Sequence, residues 1–308
     1  MYVVLGATGN SGSVVAETLL SKGEKVRAVG RSKERLAKIA ARGAEPFVAD
    51  QTDSAALTRA FEEARAAYFM VPPNVTSPDY RGFQMQVADA SGVAAEAAKL
   101  RYMVALSSYG AQHATGCGPI SGLHPVERRL ERVPGLNVLF LRAGYFMENT
   151  LPQIDAIKNF GMMAGPVKAD AVVPMIATRD IGAAAADALL KLDFSDHQTR
   201  ELLGQRDVTY PEVAKIIGAA IGKPELAYLQ APKEQVASIL GSIGFSQDFT
   251  LCFLEMCDAI NDGRVVGLEP RSATNTTPTS FETFVKEVFV PAYRGQAVAA
   301  SSFLGGSR

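Results

Sequence analysis

Residues 1–31 read MYVVLGATGNSGSVVAETLLSKGEKVRAVGR. An apolar run at residues 3–5 meets three glycines spaced by three, Gly6, Gly9 and Gly12. A helical pattern follows over about residues 13–21, with Val14, Val15, Leu19 and Leu20 as its packing side chains. A strand that ends in a glycine loop, with a helix opening from it, is the setting of a phosphate-binding turn. Gly6 permits the tight turn, Gly9 lets the backbone approach a pyrophosphate, and Gly12 lets helix and strand pack closely. The helix start adds N–H donors and the positive end of its dipole. The spacing is GxxGxxG rather than GxGxxG. On this reading the loop residues Gly6, Ala7, Thr8, Gly9, Asn10, Ser11 and Gly12 hold a dinucleotide; the plain alternative is a glycine-rich strand–helix turn.

Outward from the loop, short apolar runs alternate with helical patterns. Strands are predicted at residues 25–29, 46–49, 66–71, 102–106 and 136–141, and helices at 33–41, 55–63 and 80–100. These strands are nearly continuous in apolar residues, as in a parallel sheet covered by helices on both faces. The expected class is α/β, a doubly wound Rossmann domain over residues 1–150. Residues 151–308 are expected to form a smaller mixed α/β substrate lobe. Within it, a strand is predicted at 171–176, and a helix at about 177–192 should pack back onto the first domain. Residues 201–204, a helix at 210–221 and helical segments between 233 and 260 complete the lobe, and the tail 295–308 is expected to fray.

The 308 residues carry a formal net charge of −1, with 47% hydrophobic and 20% charged residues. That balance disfavours nucleic acid or an anionic membrane as a partner reached through bulk charge. No apolar run reaches 18 residues, and Met1 leads straight into Tyr2-Val3-Val4 with no basic region before it, so a cytoplasmic protein is expected. Cys117, Cys252 and Cys257 form no CxxC, and His113, His124 and His197 are scattered, so neither disulfides nor a metal site is expected.

Cofactor choice is read after the second strand, where an acid would accept from a ribose 2′-OH. Here stand Gly30, Arg31, Ser32 and Lys33. A guanidinium and a hydroxyl suit a 2′-phosphate, so NADP(H) is favoured over NAD(H). Asp50, after the third strand, is placed to meet the adenine or to cap a helix.

The chain resembles the NmrA-like family of atypical short-chain dehydrogenases/reductases. The resemblance rests on GATGNSG, Gly30-Arg31, VALSSYGA at 104–111, HPVERRLERVPGLNVLFLRAGYFMEN at 124–149 and TPTSFETFVKEVF at 277–289. It implies a nicotinamide cofactor and one of two roles. Some members resemble reductases that pass hydride to quinones or dyes; others resemble regulators that bind the dinucleotide and report its redox state to a protein partner. Classical relatives use Tyr-x-x-x-Lys, but four residues after Tyr109 stands His113, and no lysine occurs between Lys99 and Lys158.

By the same resemblance, Val71 and Pro72, Ser107 and Ser108, and Ala143, Gly144, Tyr145 and Phe146 border the cofactor. Tyr109, His124 and Tyr145 are the candidates at the nicotinamide or substrate end. Pro125 suits a first helical position, so His124 alternatively marks only a helix start. Glu127 can orient its imidazole, or pair with Arg128 or Arg129. Asn149 is expected to fix the turn after Phe146. The expectation is an NAD(P)H-dependent reductase of a small conjugated acceptor; the alternative is a non-catalytic NADP(H) sensor.

Overall fold

A computed structural model describes residues 1–296, so most of the 295–308 tail lies outside the described residues. The first half runs β1 (Tyr2–Leu5), α1 (Asn10–Ser21), β2 (Val26–Gly30), α2 (Lys33–Ala40), β3 (Glu45–Val48), α3 (Ser54–Phe61), β4 (Ala66–Phe69), α4 (Tyr80–Ala97), β5 (Tyr102–Ser108), α5 (Pro119–Glu131) and β6 (Asn137–Ala143). There follow β7 (Tyr145–Phe146), α6 (Gln153–Phe160), β8 (Met163–Gly165), β9 (Val173–Ile176), α7 (Thr178–Lys191), β10 (His197–Leu202), β11 (Asp207–Val208), α8 (Tyr210–Ile221) and β12 (Tyr228–Gln230). The described chain closes with α9 (Lys233–Ser242), α10 (Gln247–Asn261), α11 (Phe281–Phe284) and α12 (Val290–Tyr293).

Seven strands form one parallel sheet in the order β10-β6-β5-β4-β1-β2-β3. The order reverses between β1 and β4, which opens a ligand crevice above the carboxyl ends of the strands. One face is covered by α1, α2 and α7 through Val15, Leu19, Leu36, Ile39, Ile181 and Leu189. The other is covered by α3, α4 and α5 through Leu57, Phe61, Val87, Val126 and Leu130. A second core, holding Met147, Met163, Met175, Tyr210, Phe249 and Phe281, fills the lobe built from the rest.

Two local readings are corrected. The sequence places residues 201–204 in the substrate lobe, but Glu201 and Leu202 end β10, which pairs with β6 in the main sheet. This edge strand reads HQTREL and buries only its last two residues, so it shows no apolar run. The sheet thus takes a strand, and α1 takes the cover of α7, from beyond residue 150. The contact is close: a Cβ on Gly182 would fall 2.6 Å from Val14 Cβ and 2.7 Å from the Ser11 carbonyl oxygen. The second correction is α5. It starts at Pro119 rather than at Pro125, so Pro125 lies inside the helix and His124 is not a cap.

The N-cap of α7, Ala177, cannot cap with its side chain. Buried Glu148 does so from across the chain, accepting from the Thr178 N–H at 3.0 Å and from the Thr178 hydroxyl at 2.6 Å. Burial pushes the Glu148 carboxyl above its ordinary value of 4.5, against the lowering effect of these bonds, and Asp180 adds to the rise. A carboxyl raised in the folded state contributes most stability below its unfolded value and loses it as pH rises through the folded one. The advantage of the parent over Glu148→Gln, measured by urea titration, should therefore be largest below pH 4.5 and shrink toward neutrality.

Candidate active site

The loop after β1 is built as its glycines demand. Gly6 has φ +65°, which L side chains avoid, and a Cβ there would fall 2.8 Å from Met70 Sδ. A Cβ on Gly12 would strike the Gly6 carbonyl oxygen. Gly9 is the N-cap of α1 and donates its N–H to the Gly6 carbonyl at 2.9 Å, and no side chain caps that helix start. Ala7 is tied by its N–H to the Val29 carbonyl at 3.2 Å. Ser11 turns inward instead: its hydroxyl accepts from buried Tyr68 at 2.9 Å, so only its backbone is offered to a ligand.

At the end of β2, Arg31 is exposed. The Ser32 hydroxyl caps α2 by accepting from the Arg35 N–H at 3.2 Å and donates to the Glu34 carboxylate at 2.8 Å, so it is already engaged. The Arg35 guanidinium reaches back to the Thr8 carbonyl at 3.1 Å and ties the two loops together. Sequence reasoning missed Arg35; its place two residues past Lys33 was the available signal. Asp50 accepts from the Thr52 N–H and hydroxyl at 2.9 and 2.7 Å. Its burial raises the carboxyl pKa, but Thr52 and the nearby Arg31 bring it below the usual value. The next residue, Gln51, is buried and its side-chain oxygen has no hydrogen-bond partner. Its amide nitrogen lies 3.9 Å from Met70 Sδ, beneath Gly6. Across the crevice, half-buried Val71 and Pro72 follow β4.

At the ends of β5 and β6, several predicted site residues are spoken for. Ser107 donates to Glu127 at 2.6 Å. Glu127 is fully buried and takes Arg142 through Nε at 3.0 Å and Nη2 at 2.6 Å. It neither orients His124 nor pairs with Arg128 or Arg129. Those arginines pair with Glu131 and Asp89. His124 Nδ1 lies 3.1 Å from the Ala111 carbonyl, and since a carbonyl only accepts, Nδ1 carries the proton. The Ser108 hydroxyl donates to the Tyr109 carbonyl at 3.2 Å.

From the buried pair a polar chain continues outward. Arg142 Nη1 donates to Gln112 at 3.3 Å, and Gln112 donates to the Val266 carbonyl at 2.7 Å. Residues 264–271 form a strap held further by Glu201, which accepts from the Leu268 and Glu269 N–H groups, and by Arg271, which bonds Asp207 and the Gly204 carbonyl. The Tyr109 ring lies beneath it, so that a Cβ on Gly267 would collide with both that ring and the Glu201 carboxylate. Burial pushes the Tyr109 phenol up, partly offset by a hydrogen bond from the Gly267 backbone. Tyr109 is thus drawn toward β10 rather than standing open at the crevice. The strap carried no sequence signal, because its partners are distant in the chain.

Beyond Ala143, the Gly144 N–H donates to the Leu202 carbonyl at 2.9 Å, and a Cβ on Gly144 would strike the Pro174 carbonyl. Phe146 packs on the sheet core and Tyr145 on the second-lobe core, as neighbours on a strand must. Tyr145 stays half-buried; burial pushes its phenol up to about 12, and the neighbouring Tyr210 and Asn149 side chains act in the lowering direction. No cluster of histidine, cysteine and acidic side chains fit for a metal occurs among the described residues. No helix among them is long and apolar enough to cross a membrane.

Comparison with known proteins gives four findings. The model of the NmrA-like family matches residues 2–285. Over 262 residues the chain is 27% identical to an NAD(P)H azoreductase of Xenophilus azovorans, covering 85% of each chain. Over 226 residues it is 30% identical to a (4-alkanoyl-5-oxo-2,5-dihydrofuran-3-yl)methyl phosphate reductase of Streptomyces griseus, covering 73% of this chain and 75% of that one. In fold it is similar to an NADPH-dependent quinone oxidoreductase of Escherichia coli solved with NADPH. The TM-score is 0.78 at 24% identity, covering 94% of this chain and all of the other.

Proposed function

The chain belongs to the NmrA-like family, and on that premise we propose that it is an NADP(H)-dependent reductase of a small conjugated acceptor such as a quinone. The observation that carries the cofactor half is the orphaned Gln51 oxygen beside a helix start that no side chain caps. A buried acceptor without a partner is costly, and an adenine amine can satisfy it. The loop from Gly6 to Gly12 would hold the pyrophosphate, through backbone N–H groups and the dipole of α1. Arg31 and Arg35 would take a 2′-phosphate, with Lys33 adjacent; Ser32 serves them by fixing the start of α2. Glu34 beside Ser32 opposes the anion, which leaves the discrimination to the guanidinium groups.

When bound, the cofactor supplies the hydride; the protein binds, orients and excludes water. The relatives' substrates, as their names give them, are an azo compound, an unsaturated furanone and a quinone, all acceptors that delocalise incoming charge. Such an acceptor needs close stacking more than a strong acid. That demand is met without a lysine four residues after Tyr109, where His113 stands.

The test is loss of reduced-nicotinamide absorbance with a panel of quinones, azo dyes and cyclic enones. Turnover of at least one acceptor is expected, with NADPH preferred over NADH in kcat/KM. Arg31→Ser with Arg35→Ser should cut that preference about tenfold to hundredfold, the worth of charged hydrogen bonds. Turnover of none, with one redox form bound much more tightly, would instead establish the sensor reading.

A further inference from the structure

The reductase reading leaves open how sharply the chain separates the two nicotinamide dinucleotides. We propose that Glu34 is a specificity-determining residue: its carboxylate accepts the ribose 2′-OH of NAD(H) and opposes the 2′-phosphate of NADP(H), so that both dinucleotides bind. The preference for NADP(H) is then the margin by which Arg31 and Arg35 outweigh Glu34. The inference rests on the cofactor half of that reading and adds to it the group that takes the 2′-OH.

In a dinucleotide fold the acid that accepts from the ribose 2′-OH follows the glycine loop by about 20 residues. Strand β2 carries no acid, and the first one after it is Glu34, in the first turn of α2. Two hydrogen bonds fix that turn beside the glycine loop. The Arg35 guanidinium donates to the Thr8 carbonyl at 3.1 Å, and the Ser32 hydroxyl accepts from the Arg35 N–H at 3.2 Å. The same hydroxyl donates to Glu34 Oε2 at 2.8 Å, which draws the carboxylate back to the start of α2. The carboxylate thus stands next to the guanidinium groups offered to the 2′ position, and it remains exposed.

Glu34 acts on the two cofactors with opposite sign. The hydrogen bond from Ser32 holds its carboxyl below the ordinary value of 4.5, so it is an anion at neutral pH. A ribose 2′-OH that donates to an anion makes a charge-assisted hydrogen bond. A phosphate monoester carries about −1.5 to −2 at pH 7 and has no proton to give such an acceptor in its dianionic form. Glu34 therefore repels it. Glu34 also holds the only proton of Ser32, which would otherwise turn to a phosphate oxygen. An acid in the first turn suits the dipole of α2 as well. That effect is the same whichever cofactor is bound, whereas the specificity role moves the two affinities apart.

The experiment measures dissociation constants for NADPH and NADH, from the fluorescence of the reduced nicotinamide, in the parent, Glu34→Gln and Glu34→Ala. Each variant is first shown to melt like the parent. Glu34→Ala should bind NADPH about threefold to tenfold more tightly and NADH about threefold to tenfold more weakly, the range for a charged hydrogen bond or repulsion at an exposed site. Glu34→Gln, which keeps an acceptor oxygen and loses the charge, should tighten NADPH and weaken NADH less than the alanine does. Unchanged affinities, or shifts of both cofactors in the same direction, overturn the proposal and leave Glu34 a helix-start residue. A parent that binds NADPH but not NADH also overturns it. The measurement needs no turnover, so a chain that binds both dinucleotides and reduces no acceptor loses only the reductase reading. A parent that binds neither loses the cofactor reading and this inference together.

Discussion

Replacing Glu127 by alanine is expected to lower the unfolding free energy by about 3–5 kcal/mol, the cost of leaving a buried partner charge uncompensated. The stranded group is Arg142, whose side chain is 5% exposed and which gives two of its nitrogens to Glu127. Water cannot reach the guanidinium to replace the carboxylate, which is why the loss exceeds that of an exposed pair. Removing both charges together, as Glu127→Leu with Arg142→Met, should recover most of the loss, because similar apolar volume in place of a buried pair is often neutral. Ser107→Ala should cost only about 1 kcal/mol, since it deletes one donor to a carboxylate already held by Arg142. Urea denaturation of the three variants checks the order. A Glu127→Ala variant within about 1 kcal/mol of the parent would mean that Arg142 finds other partners.

The second large effect concerns Gly12→Ala. The added carbon would run into the Gly6 carbonyl oxygen and lie 2.8 Å from its carbon, both backbone atoms that no rotamer change can move. Overpacking of this kind costs about 1–3 kcal/mol. Relief requires α1 to back away from the loop, which also moves the N–H groups that would face a pyrophosphate. NADPH affinity, followed by fluorescence titration, should therefore fall at least about tenfold together with the melting temperature, since even one charged hydrogen bond lost is worth that much. Gly241→Ala is the control, because nothing lies within 4 Å of its added carbon and its φ is ordinary. If Gly12→Ala binds NADPH like the parent, the loop is a structural turn and not a phosphate cradle.

The legible parts of the molecule were those decided by nearby residues. Strands β1, β2, β4, β5 and β6 read from their apolar runs, because a strand covered on both faces buries most of its side chains; the edge strand β3 buries none of its four residues and was legible only from its place in the alternation. Helix α8 matched its expected limits, Tyr210–Ile221, because Thr209 and Glu212 form a reciprocal cap at its start and Gly222 closes it in a left-handed conformation. The glycine loop was legible for the same local reason. The illegible parts depend on distant partners. Glu127 reads from its neighbours as a partner of His124, Arg128 or Arg129, because Arg142, its counter-ion, comes fifteen residues later on another element. Pro125 suggested a helix start because local rules put proline there, yet Gly118 and Pro119 had already begun the helix. β10 is an edge strand with exposed polar residues, so its membership rests on its pairing with β6 and not on its composition.

Gly182 gives the last consequence, one for the order of synthesis. Its missing side chain lets α7 lie against the helix that opens from the glycine loop, touching Val14 and the Ser11 backbone. A nascent chain with 150 residues emerged has made that loop but presents Val15 and Leu19 uncovered, beside a β6 whose outer edge still lacks β10. The glycine loop is therefore secured only by residues that leave the ribosome more than a hundred and sixty positions after it.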